Sequence, residues 1–336
     1  MEFQRAMQQI GKAELSSNYT LFGTEIYLRH QILTALFQHL GDRDALDMSR
    51  FDLSEVDLDL ILDEADSFSF FADKRVIIVE NAQALVATTA KTKISETAQK
   101  RLLAYFDNPN PSSLIIWLVE TTQLDKRKKL TKALQTQTTF IDILPLNESQ
   151  VAHYVRDYAK DAGIKLQPKV LEALLVRVNY QLSVAMSELL KLQQYAQGEK
   201  PLTVEVVNRL VPRSLETDVF ELVSAVVQHQ SAKAVQIYRD LILAKNEPIA
   251  LHALLVSQFR LLIQVKLLSQ VGYLESEMAT RLGIHPYRVK LALQTVRSLS
   301  LEQLQRFYVA LAEADYAMKT SSGPREAIFD ILVTKW

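Results

Sequence analysis

Cysteine is missing from all 336 residues. Its absence excludes thiol catalysis, disulfides, CxxC zinc sites and iron–sulfur clusters, and it fits a reducing cytoplasm. Glycine is scarce: eight, at 11, 23, 41, 163, 198, 272, 283 and 323, with no two closer than eleven residues. That spacing excludes a Walker A loop, a dinucleotide GxGxxG and a G-x-S-x-G nucleophile elbow. The six histidines (30, 39, 153, 229, 252, 285) never stand at a metal-ligand spacing such as HExxH, so no metal site is expected. Excess charge is also missing. The net charge of −1 gives no global positive field to draw nucleic acid. Met1-Glu-Phe-Gln-Arg-Ala6 lacks the apolar core of a signal peptide. No apolar run is expected to reach the roughly 20 residues that span a bilayer. A soluble, cytoplasmic protein is the expectation.

What is present is a hydrophobic content of 48%, ample for folded cores. The length suggests two or three domains at about 100–200 residues each. The first 145 residues alternate strand and helix. Apolar β-type runs lie at Thr20–Phe22, Met48–Leu53, Val76–Val79, Leu114–Val119 and Phe140–Leu144. Helical patterns lie between them at Glu25–His39, Glu55–Ala65, Ile94–Phe106 and Lys126–Leu134. Runs such as Leu114-Ile-Ile-Trp-Leu-Val119 suit strands buried on both faces of a parallel sheet. This alternation predicts a three-layer α/β domain with right-handed crossovers. After Pro145 the strands stop. Asn147 and Gln150 read as a capping box that opens a helix, and Gly163 as the residue that closes it. Further helices are expected at 168–178, 182–197 and after Thr203, then at 216–228, 231–244, 248–270, 275–282, 286–297, 301–317 and 324–335. The boundaries read as 1–145, 146–213 and 214–336.

Tyr19-Thr-Leu-Phe-Gly23-Thr24-Glu25-Ile-Tyr-Leu28 runs from strand into helix, where a mononucleotide-binding domain carries its phosphate loop. Such a loop needs two glycines five residues apart, then Lys and Ser or Thr, so that backbone N–H groups cradle phosphate. Here one glycine is followed by Thr24 and Glu25. A carboxylate in the first helical turn suits the helix dipole and repels phosphate. The loop reads as a degenerate nucleotide loop that binds no nucleotide.

Asp66-Ser-Phe68-Ser69-Phe70-Phe71-Ala-Asp-Lys-Arg75 carries three phenylalanines within four positions of a short polar connection. One reading places all three in the core at the sheet edge. The other makes them an exposed wedge for a partner's apolar pocket, since aromatic anchors dominate interface energies. In an extended segment Phe68 and Phe70 point one way and Phe71 the other, so not all are core. Lys126-Arg127-Lys128-Lys129, with Lys132, surrounds a helix start. It reads either as a solvated face or as a contact for DNA or a neighbouring subunit. His285-Pro-Tyr287-Arg-Val-Lys290 has the look of a helix–turn–helix piece, for which packing is the simpler account. The carboxylate pairs Asp57/Asp59 and Asp63/Glu64 read as surface solvation, and no catalytic constellation is present.

Together these stretches resemble the delta subunit of the bacterial DNA polymerase III clamp loader, over essentially the whole chain. The resemblance is carried by Leu21–Leu28, Ser69-Phe-Phe-Ala72 followed by Val76–Asn81, Leu124–Leu130, Glu188-Leu-Leu-Lys-Leu192, His285–Val289 and Ala314–Thr320. It implies an α/β plus all-α chain: an AAA+-like module without a functional P-loop, its small helical domain, and a C-terminal helical collar. It implies no catalysis and no cofactor. The implied partners are the beta sliding clamp, the tau/gamma and delta-prime subunits of the loader, and primed DNA through the assembled complex; no membrane is implied. The hydrophobic pair after a serine that enters a pocket on the clamp matches Phe70 and Phe71, with Ser69 before them and Phe68 adjacent. Phe70 stands where the family often has Leu. Two other readings are an active AAA+ motor, which needs a P-loop lysine and is typically accompanied by zinc cysteines, and a nucleic-acid-binding helical adaptor using the basic segments.

Overall fold

A computed structural model describes every residue except 13, 42–45, 68–73, 87–93, 198–199, 321–323 and 336. The chain divides into two compact units, Met1–Leu146 and Asn147–Trp336.

The first unit is built on five parallel strands: β1 Asn18–Phe22, β2 Asp47–Asp52, β3 Arg75–Glu80, β4 Ser113–Val119 and β5 Thr139–Asp142. Their order is β2-β3-β4-β1-β5, so the most apolar strand, β4, is central and buried at every residue. Edge strand β2 reads Asp-Met-Ser-Arg-Phe-Asp and none of its residues is buried. Sheet position thus follows apolar content, because only a strand covered on both faces removes all its side chains from water. The helices are α1 Phe3–Ile10, α2 Ile26–Leu40, α3 Leu58–Asp66, α4 Glu96–Asp107 and α5 Lys129–Gln137, with a short 3-10 turn at Ala82–Leu85. A core forms where Ile61, Leu62, Leu102, Phe106 and Leu134 meet Ile77, Val79, Ile115 and Trp117. Trp117 stands edge-on to Phe106 at 6.0 Å, and its Nε1–H donates to the buried Asn18 Oδ1.

The second unit is helical among its described residues: α6 Glu148–Asp161, α7 Pro168–Arg177, α8 Leu182–Ala196, α9 Val204–Leu210, α10 Leu215–Val227, α11 Ser231–Leu243, α12 Pro248–Gln270, α13 Glu275–Leu282, α14 Pro286–Val296, α15 Leu301–Thr320 and α16 Arg325–Lys335. Asn147 and Gln150 form the reciprocal capping box at the start of α6, and Gly163 takes the left-handed conformation just beyond its end. Helices α10 to α16 share one core, in which Tyr238 stacks on Phe329 at 4.0 Å and Phe259 meets Phe307 at 4.5 Å. The expected class therefore holds: a parallel α/β unit followed by helices.

Four expectations need correction. Helix α1 was not foreseen; its four apolar residues, Phe3, Ala6, Met7 and Ile10, are spaced for one face of a short helix. Helix α3 starts at Leu58, not at Glu55, because Asp52 Oδ1 takes both the N–H and the hydroxyl of Ser54 and holds a turn there. Helix α5 starts at Lys129, not at Lys126, for a parallel reason given below. Helix α12 has the length and apolar composition of a bilayer span, contrary to the expectation that no run reaches it. Leu251, Leu255, Phe259, Leu262 and Val265 account for that apolarity, since all lie in the shared core.

Candidate functional site

The C-terminal ends of β1, β4 and β5 meet at Gly23, Thr24 and Glu25. The Gly23 N–H donates to the Val119 carbonyl at 3.1 Å, and the Glu25 N–H to the Ile143 carbonyl at 3.0 Å. In return the Ile143 N–H donates to Phe22 O at 2.7 Å. Two N–H groups of this turn are thus spent on neighbouring strand ends. Glu25 is the N-cap of α2, one position before the first turn, and its Oε1 accepts the Tyr27 N–H at 3.2 Å. A carboxylate therefore occupies the positive end of the helix, where a phosphate-binding loop places its anion. Gly23 has φ +135°, and a Cβ there would lie 2.1 Å from the Ile143 carbonyl oxygen. The glycine is required by the close pass of the chain after β5, not by a ligand. Nearby, Ile26 is exposed, and Arg29 pairs with Glu120 at the end of β4.

Phe68, Ser69, Phe70 and Phe71 lie outside the described residues. Two elements flank them. Helix α3 ends at Asp66, and Ser67 closes it by donating its N–H to Asp63 O and its hydroxyl to Glu64 O. β3 begins at Arg75. The acidic residues of α3 are not merely solvated, as the sequence suggested. Arg101 of α4 reaches Asp63 at 2.6 Å and Asp59 and Asp66 at 3.3 Å each. Its pKa is raised, chiefly by the hydrogen bond to Asp63. One guanidinium thus cross-links the helix that leads into the phenylalanine segment to its neighbour. The sequence reading overlooked Arg101. An Asp-rich helix with an Arg on the next helix was the available signal.

In the basic segment, Asp125 organises the turn. Its N–H donates to Val86 O, its carbonyl accepts the Lys128 N–H, and its carboxylate grips the Arg127 guanidinium at 2.9 and 3.1 Å. This turn delays the helix to Lys129. The Arg127 pKa is raised by that carboxylate. Lys126, Lys129 and Lys132 are exposed and Lys128 is half-buried. The His285–Lys290 segment is used within its own unit. His285 caps α14 by accepting the Tyr287 N–H, and the buried Tyr287 ring lies 4.8 Å from that of Tyr180. Tyr180 donates its hydroxyl to Glu172 at 2.9 Å, and Lys290 pairs with Glu148 at 3.2 Å. These side chains join α14 to the helices that open the unit. Among the described residues no group of three His, Asp or Glu side chains is placed to hold a metal.

Comparison with known proteins gives one answer from end to end. The family model for the DNA polymerase III delta subunit matches residues 19–144, and that for its C-terminal domain matches 216–336. The DNA polymerase III subunit delta of Bacillus subtilis (strain 168) is 32% identical over 328 residues, covering 97% of this chain and 94% of the relative. A probable DNA polymerase III subunit delta of Aquifex aeolicus (strain VF5) is 25% identical over 302 residues, 88% of this chain and 84% of the relative. The solved structure of the Bacillus subtilis DNA clamp loader delta protein superposes with a TM-score of 0.83 at 31% identity, over 99% of this chain and 98% of that one. The similarity runs nearly the full length of both chains, and the chain belongs to the DNA polymerase III delta subunit family.

Proposed function

We propose that this chain is the clamp-opening subunit of a clamp loader: it binds one protomer of the beta sliding clamp and favours a ring geometry incompatible with the closed interface. The observation that carries this reading is the similarity to the Bacillus subtilis clamp loader delta protein over nearly the full length of both chains. Phe70 and Phe71, with Ser69 and Phe68 beside them, are the proposed contact. Each such side chain, once desolvated in a pocket, contributes roughly 1.5–3 kcal/mol. A binder shifts the open–closed equilibrium only by its differential affinity for the two states. Opening therefore needs no chemistry from this subunit. No nucleotide binding is proposed at Gly23–Glu25, where two N–H groups are spent on strand ends and a carboxylate caps the helix. ATP binding by the tau/gamma subunits would drive exposure of the contact. Residues 1–145 are the proposed clamp-binding domain, 146–213 the small helical domain, and 214–336 the collar that assembles with tau/gamma and delta-prime.

The test is binding of the purified chain to the cognate clamp without nucleotide. Phe70→Ala together with Phe71→Ala should weaken binding by at least about 2 kcal/mol while leaving thermal unfolding unchanged. Wild-type affinity in that variant would remove the assignment. The exposed lysines 126 and 129, with Arg127 and Lys128, support a secondary contact with DNA or a neighbouring subunit. Steep salt dependence of DNA binding by the isolated chain would move that contact to the front.

A further inference from the structure

Pro212 parts the helices of the second unit into two groups, α6–α9 and α10–α16. Every side chain of the core shared by α10 to α16 lies at Leu215 or beyond. Val155, Leu171, Leu174 and Leu189 are buried in α6, α7 and α8 and take no part in that core. Besides the contact of Tyr180 with Tyr287, polar bonds join the two groups, and they centre on the turn between α7 and α8.

In that turn Asn179 and Tyr180 are both left-handed, with φ +52° at each, and both are buried. Residues other than glycine adopt this conformation seldom, and they persist in it only where the surroundings over-determine them. The Asn179 Nδ2 donates to Ser214 Oγ at 2.8 Å, and Asn179 Oδ1 accepts the Thr217 hydroxyl at 3.0 Å. The Ser214 and Thr217 hydroxyls lie 2.8 Å apart. Because Oδ1 can only accept, the Thr217 proton points to Asn179 and the Ser214 proton to Thr217. The three side chains thus close a head-to-tail ring of bonds. Ser214 also caps α10 by accepting the Thr217 N–H at 3.1 Å. Beside the ring, Arg177 Nε donates to Val211 O at 2.7 Å, and the Arg177 carbonyl accepts the Ser214 N–H at 3.4 Å.

A ring in which every member is satisfied holds one geometry while it is whole. Opened at one point, it leaves buried polar atoms without partners. A polar joint between separate cores has the character of contacts between domains that shift against one another. We infer that Asn179, Ser214 and Thr217 form a latch that holds α6–α9 in one orientation on α10–α16, and that the two groups turn about residues 211–214 when it opens. In the proposed function these groups are the small helical domain and the collar, so the latch decides whether a movement of the collar is passed on. The latch itself does not depend on what the first unit binds.

Because it has no cysteine, the full chain takes a chosen pair of spin labels without background. Gln194→Cys on α8 with Gln264→Cys on α12, both exposed positions, reports the distance between the groups. Gln264→Cys with Gln305→Cys on α15 reports a distance within the second group. Double electron–electron resonance on the labelled parent should give one narrow distance across the groups. Asn179→Gly keeps the left-handed turn without strain but removes the ring. Thr217→Val removes only a hydroxyl from it. Losing the bonds of the ring should raise the released population about tenfold, seen as a second or broadened distance across the groups. The pair within α10–α16 should stay narrow in every variant. Should Asn179→Gly not fold, Thr217→Val carries the test. A narrow, unmoved distance in the folded variants overturns the latch. So does a broad distance in the parent, or a broadened pair within α10–α16, which would mean that the second group itself has loosened.

Discussion

Gly23 has no room for a side chain. An added Cβ would stand 2.1 Å from a backbone oxygen that cannot move without displacing the chain after β5, at a φ of +135° that other residues avoid. Gly→Ala usually stabilises a protein slightly by restricting the unfolded chain. Here Gly23→Ala should instead cost at least about 2 kcal/mol, from strain and overpacking together. Urea unfolding measures it, and a change within about 0.5 kcal/mol would show that the close approach relaxes freely. The same residue shows how much of the site is legible in sequence. One glycine followed by Thr24 and Glu25 already lacks the second glycine and the lysine of a P-loop. That the neighbouring N–H groups are spent on Val119 and Ile143 was not legible, since those partners lie about a hundred residues away. Arg75 is similar: its charge is plain in the sequence, but Asp47, Glu64 and Ser67 become its partners only when β2, α3 and β3 are side by side.

Among the elements, α12 and α15 depend on a buried histidine. His252 of α12 is fully buried, with Nε2 2.8 Å from the Leu311 carbonyl of α15. That carbonyl can only accept, so Nε2 carries the proton of a neutral ring. Burial lowers the His252 pKa below its ordinary 6.5, outweighing the Leu311 carbonyl and Asp315, which raise it; Lys319 lowers it further. The unfolded chain thus binds a proton near pH 6.5 that the folded chain refuses. More protons on the unfolded state means stability falls as pH drops below about 6.5, until the folded pKa is reached. His252→Gln should lower stability at pH 7.5 by about 1 kcal/mol and flatten the decline between pH 6.5 and 5. An equal decline in both proteins would assign it to other groups. Most helices could be read from sequence because their apolar period and caps are local. The capping box at Asn147 is the clearest case. Helix α1 escaped although Phe3, Ala6, Met7 and Ile10 follow the helical period, because eight residues are only about two turns, and α3 and α5 began late because Asp52 and Asp125 hold turns through side-chain bonds.

For the whole molecule, the proposal that this subunit binds no nucleotide has a direct thermodynamic test. A ligand that binds only the folded state stabilises it by RT ln(1 + [L]/Kd), about 2.7 kcal/mol at a hundredfold excess over Kd. Millimolar ATP with magnesium should leave the unfolding temperature of the isolated chain unchanged. A clear rise would return the chain to the class of active AAA+ subunits. By itself the sequence determined that strands end near residue 145, that helices follow to the C-terminus, that cysteine chemistry is excluded, and that the segment at Gly23 does not carry the P-loop residue pattern. Each rests on composition or on periods shorter than a helix, which are local properties. The tertiary structure alone decided the strand order β2-β3-β4-β1-β5, the burial of α12 along the helical core, the packing of Tyr287 on Tyr180 and the convergence on Arg75. These depend on which distant segments meet, and a pairing between residues far apart in the chain leaves no period in the sequence to be read.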